Sequence, residues 1–281
     1  MRFCFLLSFL FFVQYSVHSQ LLWEISGNGL TKNSYLYGTI HIMPKEKFTI
    51  SPTIKKAFQS SSELAMEVDL NMDLKTKIQV AQEMIMPGGK TLEDVMSATD
   101  FNRVKTYCLD SLHMTNGKFK KYVRLKPFFF SSVIAQEQMG KTASYEMEFN
   151  KMAKKRKMRT LGLESIQFQM QTINKMSVED QAKMMLDEFG NDPTDQFDTL
   201  LSLYLKEDLE GLYKSVVQET SSIPEFNYNF LELRNANWIP VIEKQIAQQT
   251  TFIAVGAAHL PGPKGVIQLL KEKGYKVEPV K

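Results

Sequence analysis

Ser34-Tyr-Leu-Tyr-Gly-Thr-Ile-His41 and Thr251-Phe-Ile-Ala-Val-Gly-Ala-Ala-His259 repeat one arrangement near opposite ends of a 281-residue chain: an apolar run, a glycine, two residues and a histidine. Each run has the length and the β-branched or aromatic content of a single strand. Ahead of the first copy, residues 21–26 read as another strand, and Gly27-Asn28-Gly29 turns it back onto 34–41 as a hairpin. Behind it, Ser51-Pro52 supplies a capping hydroxyl and a first-turn proline for a helix running from Ile54 to Ser60. Glu63 to Val68 is then a short apolar strand that ends in Asp69. After the second copy, Gly262 to Lys273 reads as a helix, Gly274 as its C-cap and Tyr275 to Val280 as a last strand. Strands alternating with helices define the α/β class, and the two ends read as two similar strand-helix-strand halves of one mixed sheet.

Between the halves, from about residue 73 to 248, the periodicity is that of a large helical insertion, with breaks at Pro87-Gly88-Gly89, Lys126-Pro127, Asp192-Pro193 and Pro224. One stretch interrupts it: Met158 to Glu164 is extended in pattern, and Ser165 follows as a helix cap. The basic cluster from Lys151 to Arg159 reads as a solvated helix face. Sixteen methionines and nineteen phenylalanines point to an apolar interior filled by soft and aromatic side chains.

The N-terminus carries a different signal. Met1-Arg2 is a short positive start, and Phe3 to Val13 is an apolar run of signal-peptide length, too short to span a bilayer. Val17 and Ser19 suit a cleavage site, which divides the chain into a leader, 1–19, and one α/β domain, 20–281. The expected location is therefore secreted or periplasmic, in the cell envelope, with membrane association only through an uncleaved leader. Cleavage removes Cys4 and leaves Cys108, so no intrachain disulfide is expected. A net charge of +3 gives no footprint for nucleic acid.

Candidate chemistry starts from the histidines. His41 and His259 each lie just past the carboxyl end of a strand, where open α/β sheets place ligands, whereas His113 lies in a helix-like segment and reads as structural or exposed. The preceding glycines permit a positive φ or a close approach of backbone. Neutral imidazole is a common metal ligand, but it serves equally as an acid, a base or a hydrogen-bonded turn residue. Glu67 and Asp69, two apart, fall on one face of a strand end, as metal ligand, general base or solvated acids. Glu164 stands at another strand end. Arg234-Asn235 lies on the helix-like stretch 229–248, where the pair would steady an oxyanion or lock the helix to a carboxylate.

Taken together and in order, Leu22-Trp-Glu-Ile25, Tyr35 to Ile42, Glu63 to Asp69, Leu161 to Gln169, Arg234 to Ile239 and Ala254 to Val266 resemble the TraB/GumN/Tiki family across nearly the whole mature chain. The resemblance implies an α/β core with paired Gly-x-x-His motifs, shared distantly with erythromycin-esterase-like and ChaN-like proteins. In the Tiki branch it implies metal-dependent proteolysis of a peptide or protein substrate. Carried over, His41, Glu67 and His259 form a central triad that would hold a divalent metal of open identity, with Glu67 also taking the proton of the attacking water and Arg234 steadying the oxyanion. Glu164 and Asn235 match surrounding positions. Two other readings stay open: a metal-independent His/Glu hydrolase of esterase type, and a non-catalytic protein that sequesters a peptide or haem. The His-Glu-x-x-His pattern of zincins is absent.

Overall fold

A computed structural model describes residues 20–190, 193–221, 223 and 225–280, with the side chains of 188–190 and 193–196 outside the description. The expected leader, 1–19, and the expected breaks at Asp192 and Pro224 lie outside the described residues.

The eight described strands are β1 (Leu22–Ser26), β2 (Ser34–Thr39), β3 (Met43–Pro44), β4 (Glu63–Met66), β5 (Thr142–Ala143), β6 (Arg159–Gly162), β7 (Thr251–Gly256) and β8 (Lys276–Pro279). Six form one sheet in the order β6-β4-β7-β2-β1-β8, while β3 and β5 make a separate two-residue ribbon. The expected hairpin is present, with Trp23 opposite Leu36 and Ile25 opposite Ser34. β2, β7, β4 and β6 run parallel as neighbours, and β1 is antiparallel to both β2 and β8. The fold is thus α/β with a mixed sheet, and strands from the two ends interleave: β7 sits between β2 and β4. The span between β4 and β7 is mainly helical, but β6 returns from within it to the sheet edge.

Local chemistry sets these elements. Ser51 caps the helix Pro52–Ser60 through its hydroxyl, which accepts from the Ile54 amide, and Pro52 occupies the first turn. Ser165 does the same for Ile166–Asn174 by accepting from the Phe168 amide. β7 is buried throughout, as a central parallel strand covered on both faces must be. Its Phe252 packs with Phe58 and Phe149, and Trp238 and Ile242 of the helix Leu233–Gln248 belong to the same core. A second core, with Leu92, Val104, Cys108, Phe130 and Met185, holds the helical region together. Met43, Met66 and Met185 are fully buried, in line with core filling by methionine. Among the described residues, no helix is long and apolar enough to cross a membrane.

Candidate active site

Four parallel strands end side by side, and the residues just beyond them make the site. His41 follows β2, His259 follows β7, Glu67 follows β4 and Glu164 follows β6. The helix Leu233–Gln248 leads straight into β7, so it begins at the strands' carboxyl ends and brings Arg234 and Asn235 of its first turn to the same place. A π-helical turn, Tyr228–Glu232, precedes it, and Phe230 O accepts from Arg234 Nη1 at 3.1 Å. Extra turns of this kind recur at functional sites because they re-aim the residues that follow.

The glycines of both motifs act through space. A Cβ on Gly38 would stand 3.1 Å from Ala257 Cα and 3.2 Å from Leu260 Cδ2, so only glycine lets β2 approach the turn after β7. On Gly256 it would stand 3.2 Å from Glu67 Oε1 and 3.5 Å from both His41 Nε2 and His259 Cδ2, filling the small space on which these groups converge. Neither glycine has positive φ.

Glu67 is the hub. Its Oε1 accepts the Gly256 amide at 2.8 Å and lies 3.9 Å from the Nε2 of His41 and of His259. Its Oε2 accepts from Arg234 Nη2 at 2.5 Å and from Gln169 Nε2 at 3.3 Å. Burial pushes the Glu67 carboxyl up, but the Arg234 guanidinium, with the histidines and the Gly256 amide, holds it well below the usual carboxylate range. Glu67 is therefore a firmly ionised anion and a weak proton acceptor.

Arg234 uses the whole guanidinium fork. Nε and Nη2 donate to Glu164, Nη2 also to Glu67, and Nη1 to Phe230 O and His259 Nε2, the last at 3.2 Å. All five N–H groups of an arginine are thereby directed to acceptors. Glu164 also accepts from Trp238 Nε1 at 3.0 Å, and the Arg234 guanidinium lies over the Trp238 ring. Backbone pairing explains the crowding of charge: Glu164 N donates to Glu67 O, so two buried carboxylates stand on adjacent strands and need one cation between them.

The two histidines differ completely. Since arginine can only donate, His259 Nε2 accepts from Arg234, and its Nδ1–H donates to Asn235 Oδ1 at 2.7 Å. Asn235 is itself held by donating to the carbonyls of His259 and Lys264. Burial lowers the His259 pKa to about 3, with the opposing pull of Glu67 only partly offset by Arg234 against it, so the ring is neutral. His41 keeps 66% of its side chain open. Its Nδ1 meets Glu146 Oε1 at 3.0 Å, and its Nε2 remains uncommitted. What desolvation His41 does feel lowers its proton affinity; the hydrogen bond and charge of Glu146, then Glu67, outweigh it and raise the pKa to about 9.

Of the residues singled out in the sequence, the structure brings His41, Glu67, His259, Arg234 and Asn235 together, with Glu164 as the second carboxylate on Arg234. Asp69 is not brought in. β4 ends at Met66, the strand alternation stops there, and Asp69 turns to accept from Asn71 and Thr160 instead. His113 is exposed, as expected. Glu146 was missed: it accepts from Thr39 and Ser144 as well as His41, and its only sequence signal is an acid in the first turn after the cap Ser144. Gln169 was missed likewise, although Ser165 announces its helix.

The donors can be tested against a metal. Ligands with bonds of about 2 Å stand roughly 3 Å apart, whereas these imidazole nitrogens lie 3.9 Å from Glu67 Oε1. His259 Nε2 is also occupied by Arg234. As arranged, the residues do not fit a three-ligand centre, and among the described residues no group of three His, Cys, Asp or Glu side chains closes on a common point.

A model of the TraB/PrgY/gumN family matches residues 21–279. Metalloprotease TIKI1 of Danio rerio is 22% identical over 314 aligned positions, covering 92% of this chain and 63% of the relative. Metalloprotease TIKI2 of Danio rerio is 21% identical over 315 positions, covering 92% and 61%. The chain thus spans about three-fifths of the length of these curated relatives. No solved structure matches.

Proposed function

This chain belongs to the TraB/PrgY/gumN family, and from that premise we propose that it is an exported peptide hydrolase working at the carboxyl ends of β2, β7 and β4. The observation that carries the reading is His41: an imidazole backed by Glu146 at Nδ1, with Nε2 open to a cavity and 3.9 Å from an ionised Glu67. The relatives' names, both metalloproteases, favour a peptide or protein substrate.

In this reading the proton moves at His41 Nε2. Its raised pKa keeps a proton there at neutral pH, ready for the leaving amine nitrogen. Glu67 Oε1 orients the attacking water and balances the imidazolium, while Arg234 holds Glu67 and Glu164 in place. Once His41 Nε2 has passed its proton to the leaving amine, the neutral imidazole takes up the proton that the water sheds on forming the new C–O bond, so the ring ends protonated as it began. That reverses the weight first given to Glu67 and Arg234: a carboxylate held this far below its usual pKa is a poor base, and a guanidinium with every N–H engaged has none left for an oxyanion.

A metal-dependent form of the same activity draws its support from the relatives' names. The donors that the family resemblance names for a divalent ion are His41, Glu67 and His259, which as arranged do not close on one, with His259 Nε2 engaged by Arg234.

The test is cleavage of a fluorogenic peptide library by purified protein, with and without chelator and with divalent metals restored. Turnover is expected, and His41→Ala should lose about a hundredfold or more in rate. Turnover that survives chelation supports the dyad alone, whereas loss on chelation, with metal content falling in His259→Ala and Glu67→Gln, supports the metal-dependent form. Stoichiometric binding of peptide or haem without turnover under any metal condition would make the protein a sequestering one and end the enzyme reading.

A further inference from the structure

The cavity that His41 opens into has a volume of about 510 Å³ and a mixed lining. His41, Glu67, Glu146 and Arg234 supply its charge. Leu70, Phe128, Phe129, Met147, Ile173 and Phe230 supply most of its apolar surface, with Ser132 and Thr172 among the neutral polar groups. That volume lies within the roughly 300–1,000 Å³ typical of small-ligand pockets, and it suits one large side chain together with a stretch of backbone.

The wall is built and held. Phe128 packs edge-on against Phe129, with ring centroids 5.5 Å apart, and against Phe230 at 6.0 Å. Phe230 in turn stacks on Phe226 at 4.2 Å. Phe230 also belongs to the π turn whose carbonyl receives Arg234, so one element sets both the apolar wall and the charged hub. Yet the surface is incompletely covered: Phe128, Phe129 and Phe230 are only partly buried, and Met147 is 64% exposed. Apolar surface facing a cavity gains most from an apolar occupant, and a methionine at the rim adapts to its shape.

Charge narrows the occupant further. The cations in the lining are Arg234 and His41, and both already face carboxylates. An acidic side chain would meet Glu67 and Glu146, and the one open N–H, at His41 Nε2, is the donor that the leaving amine needs. A lysine or arginine would have to compete for carboxylate oxygens that already accept from Arg234, Gln169 and the Gly256 amide, or from Thr39, Ser144 and His41.

We propose that the apolar lining of this cavity forms a specificity pocket for a bulky apolar side chain, phenylalanine, leucine or methionine, adjoining the bond that lies at His41 and Glu67. The proposal rests on the peptide-hydrolase reading and names its substrate class.

The test uses one peptide scaffold varied at the residues flanking the cleavage point, with Phe, Leu, Met, Ala, Lys or Asp at each. Phe, Leu and Met should exceed Ala by about ten- to a hundredfold in kcat/KM at one flanking position, the range an apolar pocket delivers, and Asp should be poorest. Phe129→Ala should compress that preference, and Phe230→Leu, which keeps apolar volume, should compress it less. Efficient cleavage with no apolar preference, or with a preference for Lys or Asp, overturns the pocket and leaves the hydrolase standing. If no peptide is cleaved, calorimetric binding of the same peptides decides. Tighter binding of the Phe and Leu peptides than of the Asp peptide, weakened by Phe129→Ala, upholds the pocket although hydrolysis has failed, and equal or absent binding overturns both.

Discussion

His41 and His259 carry the same local motif at the ends of neighbouring parallel strands, yet one is an open imidazolium and the other a buried neutral ring. The strands place them alike, with Gly38 opposite Val255 and Thr39 opposite Gly256. The helices that arrive above them do not. The helix Tyr145–Arg156 brings Glu146 to His41, a carboxylate in reach of Nδ1. The helix Leu233–Gln248 brings Asn235 and Arg234 to His259, an amide at Nδ1 and a cation at Nε2. A repeated motif therefore fixes where two groups sit, while the partner helix decides which protonation state each adopts and hence what it can do.

The largest break of this contrast comes from removing its cation. Arg234→Met should destabilise the protein by about 3–5 kcal/mol, because Glu67 and Glu164 are left buried beside each other without a partner. A lowered urea midpoint with unchanged slope measures it. A loss under about 1 kcal/mol would show that water or another cation already shares the site. Arg234→Lys should fall between, since it keeps the charge but not the fork.

Truncating each histidine should separate their roles next. His259→Ala opens a buried space beside Trp238, whose ring centroid lies 4.5 Å away, and frees Asn235 Oδ1, so a stability loss of about 2–4 kcal/mol is expected. His41→Ala should lower the thermal midpoint less than His259→Ala, by no more than the solvent-screened pair with Glu146 contributes, because most of its side chain already faces water, yet abolish most turnover. Equal effects of the two on stability would erase the distinction drawn from their burial.

This pair also shows what the sequence made legible. The hairpin, the helix begun by Ser51-Pro52, and β7 were readable because apolar alternation, a turn of glycines and a capping serine are local signals. Placing His41 and His259 just past two strand ends pointed to their convergence, and the family resemblance joined Glu67 to them. What was not legible is long-range: that β7 inserts between β2 and β4, that Asp69 bends away after Met66, and that Glu146, more than a hundred residues along the chain from His41, becomes its partner. Arg234, Asn235 and Glu164 stood out as a helix-borne pair and a strand-end acid, and the resemblance set them around the triad, but only packing shows that Arg234 is wholly engaged and that Glu67 is too acidic to serve readily as a base.

Exchanging the partner chemistry should bring the two titrations together. Glu146→Gln removes the main group raising His41 and should lower its pKa from about 9 toward the ordinary histidine value, while Asn235→Asp should raise His259 from about 3. Histidine proton resonances followed against pH measure both. The linkage signs are opposite. Raised in the folded state, His41 contributes stability that is full below the unfolded histidine pKa of about 6.5 and is lost as pH rises through about 9. Depressed in the folded state, His259 is neutral on folding, so its cost appears as pH falls below about 6.5 and grows until pH reaches about 3. Stability slopes of the same sign on both sides of neutrality would contradict the assignment.

The smallest effect belongs to the one cysteine among the described residues, and it sets the baseline against which the histidine changes are read. Cys108 lies fully buried in the second core, with Leu92, Val104 and Phe130, apart from the core that carries both histidines. Burial, reinforced by the nearby charge of Glu137, pushes its thiol up to about 12. At pH 8 the thiolate that would react is therefore a trace, some four powers of ten below the thiol by the pKa difference. Native protein should resist a thiol reagent for hours and react at once in denaturant. Cys108→Ala should cost about 1 kcal/mol, as a small buried deletion does, and leave turnover and both histidine titrations within error of the unaltered protein. Rapid labelling of the native thiol, or a shift in either histidine's pKa on this substitution, would mean that the helical region reaches the site through contacts the separate cores do not reveal.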